Sequence, residues 1–286
     1  MLLRAFAKIN LDLRILRKRP DGYHAIRTVF QTIDWFDEIQ MERAPRFNFW
    51  ASSGPQDETN LVVRAVRLFE QGLGRQADVD IKLTKSLPAG AGLGGGSADA
   101  AVTLMGLYRL YGSEIRSDPD RQLQWMRSLG SDVPFFSIGG RAVGTGRGDE
   151  LSALPDEVNY WLVLVDPGVS IRSAEAYSWL TLSDKSNNIE GFRVQSVPER
   201  ATSEPTNDFE AAVFKRYPQL EAIRQDLTRS GAFRAALSGS GSVVFGQFDS
   251  EAAAQRAAGQ TKPGYRVKVT KPLSRSEYFS RIIEQE

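Results

Sequence analysis

The sequence predicts a chain of mixed strands and helices, in two domains or one large one, and three observations support that expectation. Stretches of strict apolar–polar alternation, residues 7–15 and 79–85, are interleaved with runs of helical periodicity at 60–72, 97–111 and 118–129. A proline-bearing stretch, 151–158, reads as a join between two sets of elements. The chain has 286 residues, which suggests two domains or one large one, and 41% of them are hydrophobic, enough to bury a proper core. The expected division is 1–153 and 154–286.

Composition removes several function classes. Thirty-six basic and 35 acidic residues nearly cancel, so bulk charge favours neither nucleic acid nor an anionic membrane. There is no cysteine, hence no disulfide, thiolate metal site or catalytic thiol. The single histidine, His24, rules out a mechanism that needs a pair. The first residues lack the apolar run of a signal peptide, and no stretch of about 20 apolar residues could span a bilayer. A soluble cytoplasmic protein is expected.

In residues 7–15, Ile9, Leu11, Leu13 and Ile15 point one way and Lys8, Asn10, Asp12 and Arg14 the other. The polar row can be a solvated face or the floor of a site. Pro20-Asp21-Gly22 is turn chemistry, and Tyr23 and His24 follow it. They can be plain packing, or can stack on and hydrogen-bond a flat heterocycle. Residues 29–43 read as strands joined at Trp35-Phe36-Asp37-Glu38. Asn60 is a plausible N-cap for the helical run that follows.

Residues 87–101, LPAGAGLGGGSADAA, hold five glycines: Gly90, Gly92, Gly94, Gly95 and Gly96. Their backbone can curl tightly and approach a ligand closely. A helix follows at once, with Ala98, Ala101, Val102, Met105 and Tyr108 at helical spacing. A loop rich in free N–H groups feeding a helix N-terminus is an anion site, and phosphate is its commonest occupant. A P-loop would need Lys and Ser/Thr after the last glycine, where Ser97 and Ala98 stand. Gly90, Gly92 and Gly95 match a dinucleotide fingerprint. However, the preceding strand alternates where a buried parallel strand would be apolar throughout, and no acidic residue closes a second strand about 20 residues on. A flexible loop before a core helix is the remaining reading.

Further on, Asp118 caps a helix with Pro119 in its first turn. In Gly130-Ser131-Asp132-Val133-Pro134, Asp132 can cap the turn opened by Pro134. Residues 139–148 read as a tight glycine hairpin, and 160–165 as a buried strand. Tyr177 can be helix packing. The polar stretch 187–204 reads as mobile. Asn207-Asp208 reads as a cap, 220–231 as a helix, and Ser238-Gly239-Ser240-Gly241 as a hairpin between strands. A helix (251–258) and a strand (265–270) close the chain.

Leu87-Pro88, the glycines, Ser97 and the alanine-rich helix resemble the phosphate loop of the GHMP small-molecule kinases. Many relatives carry two serines after Gly-Leu-Gly; here Gly95 and Gly96 stand in their place and the hydroxyl comes at Ser97. Ala7-Lys8-Ile9-Asn10-Leu11, Asp21-Gly22-Tyr23-His24 and the Asp132 segment resemble one branch of that family. This branch phosphorylates a cytidine-diphosphate-linked methylerythritol in non-mevalonate isoprenoid precursor synthesis.

The resemblance implies a two-domain α+β GHMP kinase fold with the active site in the cleft between domains. It implies that Lys8 and Asp132 are catalytic, Asp132 accepting the hydroxyl proton. Pro88, Ala89, Gly90, Ala91, Gly92, Leu93, Gly94, Gly95, Gly96, Ser97 and Ala98 would hold ATP, with Asn60 near the adenine. Tyr23 and His24 would hold the cytosine, Tyr177 would cover its other face, and Asn10 would place the sugar-alcohol chain. The 238–241 hairpin would stiffen the phosphate site. ATP and Mg²⁺ are the implied cofactors, with the metal's ligands open. The implied partner is a small cytidine diphosphate substrate, for a monomer or weak homodimer. Two alternatives stand. A homoserine- or mevalonate-type kinase is argued against by Tyr23-His24, and a silent nucleotide sensor by the joint presence of Lys8 and Asp132.

Overall fold

In the computed structural model, which describes residues 1–112, 114–115, 118–180 and 207–284, two sheets pack face to face between helices. The first sheet holds β1 (Leu2–Lys18), β2 (His24–Arg43), β3 (Asn48–Ala51), β4 (Val79–Thr84), β5 (Arg141–Thr145) and β6 (Glu150–Ala153). Its order is β3-β4-β2-β5-β6, with β1 paired to β2. The second holds β7 (Trp161–Asp166), β8 (Arg234–Leu237), β9 (Val244–Phe248) and β10 (Arg266–Thr270), in the order β10-β7-β9-β8.

Alternation along the strands sorts side chains into layers. On β7, Leu162 and Leu164 join Ala7, Ile9, Leu11 and Val29 in a cluster between the sheets. Val163 and Val165 face the other way, toward α4 (Ser173–Ser178), α5 (Glu210–Arg216), α6 (Pro218–Arg229) and α7 (Glu251–Gly259). The outer face of the first sheet is covered by α1 (Leu61–Leu73), α2 (Gly95–Leu110), α3 (Pro119–Leu129) and the C-terminal α8 (Arg275–Ile282). Among the described residues no helix is long and apolar enough to cross a membrane.

Several expectations are met. Asn60 caps α1, its Oδ1 accepting from the Val62 N–H at 2.9 Å. Asp118 caps α3 in the same way at Arg121. The glycine hairpin closes between β5 and β6, and residues 238–243 link β8 to β9.

Three differ. Residues 35–38 are no join, because β2 runs unbroken through them. Its first half pairs with β5 and its second with β4, while β1 lines it along most of its length. Asp132 precedes a 3₁₀ turn, Val133–Ser137, but its side chain makes no capping bond. Asn207 Oδ1 accepts from the Phe209 N–H at 3.0 Å, just ahead of α5, but the helix's own N-cap is Phe209 and Asp208 makes no capping bond. Asn207 donates to the carbonyls of Leu237 and Gly239, and Asp208 accepts from the Ile15 N–H, so they tie β1 to the second sheet. The polar stretch 187–204 lies outside the described residues.

Strand β1 is interrupted by register shifts between Phe6 and Lys8 and between Asn10 and Asp12. The second breaks the expected polar row. Lys8 and Asn10 face a large cleft, but beyond the shift Leu13 faces it instead of Asp12. Asp12 turns to Arg27 and Arg14, which hold its carboxylate at 2.5 and 3.3 Å.

Candidate active site

A cleft of about 610 Å³ lies where the loop before α2 meets the β8–β9 hairpin and the loop after β7. One wall is the glycine stretch, residues 87–97, with Asn60 beside it; Ala98 is buried behind it. The loop is held from the second sheet. The Ile171 N–H donates to the Gly90 carbonyl at 3.1 Å, the Val243 N–H to Ala91 at 3.1 Å, and the Ser238 hydroxyl to Gly92 at 2.9 Å. The Lys8 N–H holds the Leu93 carbonyl at 2.9 Å. With its carbonyls turned to protein partners, the loop keeps N–H groups for an anion.

Gly92 and Gly94 are among the loop positions where a side chain is disfavoured. A Cβ on Gly92 would sit 2.0 Å from the Ser238 carbonyl oxygen, and one on Gly94 would sit 3.0 Å from Cε of Lys8. Both have left-handed φ, 77° and 70°. Gly94 precedes α2 without any side-chain cap, so the first amides of the helix, on Gly95, Gly96 and Ser97, remain available to phosphate oxygens. These residues fit a triphosphate. Among the described residues no group of three or more His, Cys, Asp or Glu could hold a metal ion. A phosphate-borne Mg²⁺ needs few protein oxygens, and the Ser97 hydroxyl is the loop's one side-chain oxygen.

Opposite the loop, Lys8 Nζ lies 3.1 Å from Asp132 Oδ2 and donates to Asn10 Oδ1 at 2.7 Å. The ammonium is almost fully buried, whereas the carboxylate is one-third exposed and opens on the cleft. A carboxylate free to receive a hydroxyl proton thus stands beside a fixed positive charge. The structure therefore brings Lys8, Asn10 and Asp132 together with the glycine loop.

The aromatic end is arranged differently from an open sandwich. Tyr177, on α4, lines the cleft and stacks on His24 with ring centroids 4.6 Å apart and planes 7° apart. A third ring between these two would need roughly twice that separation. Tyr23 is outside the cleft lining, half-exposed, with the Arg147 guanidinium 4.9 Å from its ring centroid. Burial, and then the charge of Lys18, hold the His24 imidazole below its ordinary pKa. Burial, and then the negative Asp132, push the Tyr177 phenol up.

Sequence reasoning missed a buried charge cluster under the loop. Lys85 Nζ binds Asp99 at 2.6 Å and also Asp37, whose other oxygen accepts from the N–H groups of Ser86 and Leu87. Asp37 thereby sets the entry to the glycine loop. Burial pushes the Asp99 carboxyl up against the pull of Lys85, and the Asp37 charge adds to the rise. Reading Asp37 as part of a join hid it; the signal available was an acid on an alternating strand with a lysine just ahead of the glycines. Tyr278 was also missed. Its hydroxyl donates to the Phe136 carbonyl at 2.7 Å and braces the turn that carries Asp132.

Comparison with known proteins agrees with this geometry. The family description "GHMP kinases N terminal domain" matches residues 60–140, and "GHMP kinases C terminal" matches 193–262. A 4-diphosphocytidyl-2-C-methyl-D-erythritol kinase of Solibacter usitatus is 42% identical over 266 residues, covering 89% of this chain and 83% of its own length. One of Prosthecochloris aestuarii is 38% identical, with 94% and 96% covered. A crystal structure of 4-(cytidine 5'-diphospho)-2C-methyl-D-erythritol kinase superposes with a TM-score of 0.79 at 31% identity, covering 95% of this chain and 99% of that one. The chain belongs to the GHMP kinases.

Proposed function

We propose that the chain transfers the γ-phosphoryl group of ATP to the 2-hydroxyl of 4-(cytidine 5'-diphospho)-2-C-methyl-D-erythritol. Relatives bearing that kinase's name match it along most of its length. The observation that carries the chemistry is the Lys8–Asp132 pair, 3.1 Å apart, facing a glycine loop with uncapped helix amides. The two matched family segments support a nucleotide half in residues 1–153 and a second half in 154–286.

Phosphoryl transfer asks the protein for position and charge compensation. The amides at the start of α2 hold phosphate oxygens. Lys8 compensates charge on the transferring oxygens, and Asp132 receives the acceptor hydroxyl's proton at its exposed oxygen. Asn60 borders the adenine, and Asn10 stands beside the sugar-alcohol chain. Tyr23, His24 and Tyr177 form the cytosine end, with Tyr177 leaving His24 to admit the base. Mg²⁺, when bound, shares the phosphate charge; Ser97 is the loop residue to hold it. A small-molecule kinase of the cytoplasm is consistent with a chain free of cysteine.

The test is ADP release by the purified chain with ATP and Mg²⁺, with and without the cytidine diphosphate substrate. Release that depends on this substrate, with a new phosphate monoester seen by ³¹P NMR, is expected. Equal release with homoserine or mevalonate would move the reading to those kinases. No release with any of them would leave a nucleotide-binding protein.

A further inference from the structure

We infer that Thr28 is a positioning residue that fixes the orientation of the Asn10 amide and, through it, the direction of the Lys8 ammonium. The inference rests on the kinase reading above. Thr28 lies on β2, fully buried, paired with Leu13 just beyond the β1 register shift between Asn10 and Asp12. Its hydroxyl donates to the Asp12 carbonyl at 2.7 Å, and its oxygen accepts from Asn10 Nδ2 at 2.7 Å. Asn10 Oδ1 then accepts from Lys8 Nζ at 2.7 Å, and Lys8 lies 3.1 Å from Asp132.

The polarity of this chain is forced. A hydroxyl has one proton, and a carbonyl can only accept. With its proton committed to Asp12, Thr28 offers Asn10 only lone pairs, so the amide NH₂ must face Thr28. The amide oxygen is thereby turned toward the ammonium. The flipped amide would set lone pair against lone pair at Thr28 and N–H against N–H at Lys8. Lys8, Asn10 and Thr28 are all at most 3% exposed, so bulk water is poorly placed to substitute for a missing partner. Asn10 and Asp132 together direct two of the three Lys8 N–H bonds, leaving the third for an oxygen of the reacting groups. Thr28 is absent from the cleft lining, so its effect on the site runs through Asn10.

Thr28→Val keeps shape and removes the hydroxyl. It is expected to lower kcat by about tenfold to a hundredfold, with KM for ATP within about twofold of wild type. Thr28→Ser restores turnover. In an Asn10→Ala background, Thr28→Val is expected to add little, because its route to Lys8 is already cut. If Thr28→Val does not fold, Thr28→Ala removes the same hydroxyl and is read against Thr28→Ser in its place. Wild-type kcat in the hydroxyl-free variant, or an undiminished loss in the Asn10→Ala background, overturns the inference. Wild-type enzyme that does not turn over the cytidine substrate overturns the kinase reading instead, so the two failures are separate.

Discussion

At the scale of single residues, Lys8 and Asp132 show how much a burial difference decides. The ammonium is held on two sides inside the fold, while the carboxylate keeps a face on the cleft. Asp132→Asn should lower kcat by about 10²–10⁴-fold while ATP affinity, measured by calorimetry, stays near wild type. Unchanged turnover would remove Asp132 from the role of base. His24 offers a second check, because it is the one histidine and gives one titrating imidazole signal. Burial and Lys18 lower its pKa, so its NMR midpoint should fall below about 6.5. The unfolded chain then binds more protons than the folded one between the folded midpoint and about 6.5. Stability should therefore fall slightly as pH drops through that window. Tyr177→Ala uncovers the ring and should bring the midpoint up; a midpoint that does not move would mean that the stacking contributes nothing to the shift.

At the scale of elements, the glycine loop depends on its neighbours as much as on its own composition. Gly92 is pressed against the Ser238 carbonyl with a left-handed backbone. Gly92→Ala should destabilise the protein by about 1–3 kcal/mol from backbone strain alone, with weaker ATP binding as the loop is displaced. Gly96 has open space, its nearest neighbour being Leu61 Cδ1 at 3.8 Å, so Gly96→Ala should keep the wild-type melting temperature. Equal melting temperatures for the two variants would show that the contact with Ser238 does not constrain the loop. The loop, its helix and the caps at Asn60 and Asp118 were legible in the sequence because they are local: spacing and cap chemistry operate within one or two turns. The unbroken β2 was not legible. Trp35 to Glu38 mixes apolar and acidic residues as a turn does, and it is pairing with β1 and β4, the Lys85 ammonium and the Ser86 and Leu87 N–H groups that make a buried Asp37 tolerable.

At the scale of the whole molecule, the site is assembled from both sheets and the C-terminus. The second sheet's hairpin and the loop after β7 grip the glycine loop, and α8 returns to pack on the first core. Tyr278 is its deepest anchor, fully buried with its hydroxyl on the Phe136 carbonyl. Tyr278→Phe leaves that carbonyl unpartnered and should cost about 1–3 kcal/mol in denaturant unfolding. A loss below about 0.3 kcal/mol would mean that the carbonyl finds another donor.

The sequence by itself determined which residues the proposed chemistry draws on: a lysine on an alternating strand, a run of glycines before a helix, an aspartate before Val-Pro. These are local patterns, and local backbone preferences specify them. Tertiary structure alone decided how they meet. A bulge in β1 kept Asp12 out of the cleft, Thr28 on the neighbouring strand oriented Asn10, and Tyr177 came to rest on His24. Each of those outcomes depends on strand register and on partners far away in the chain, which side-chain periodicity does not encode.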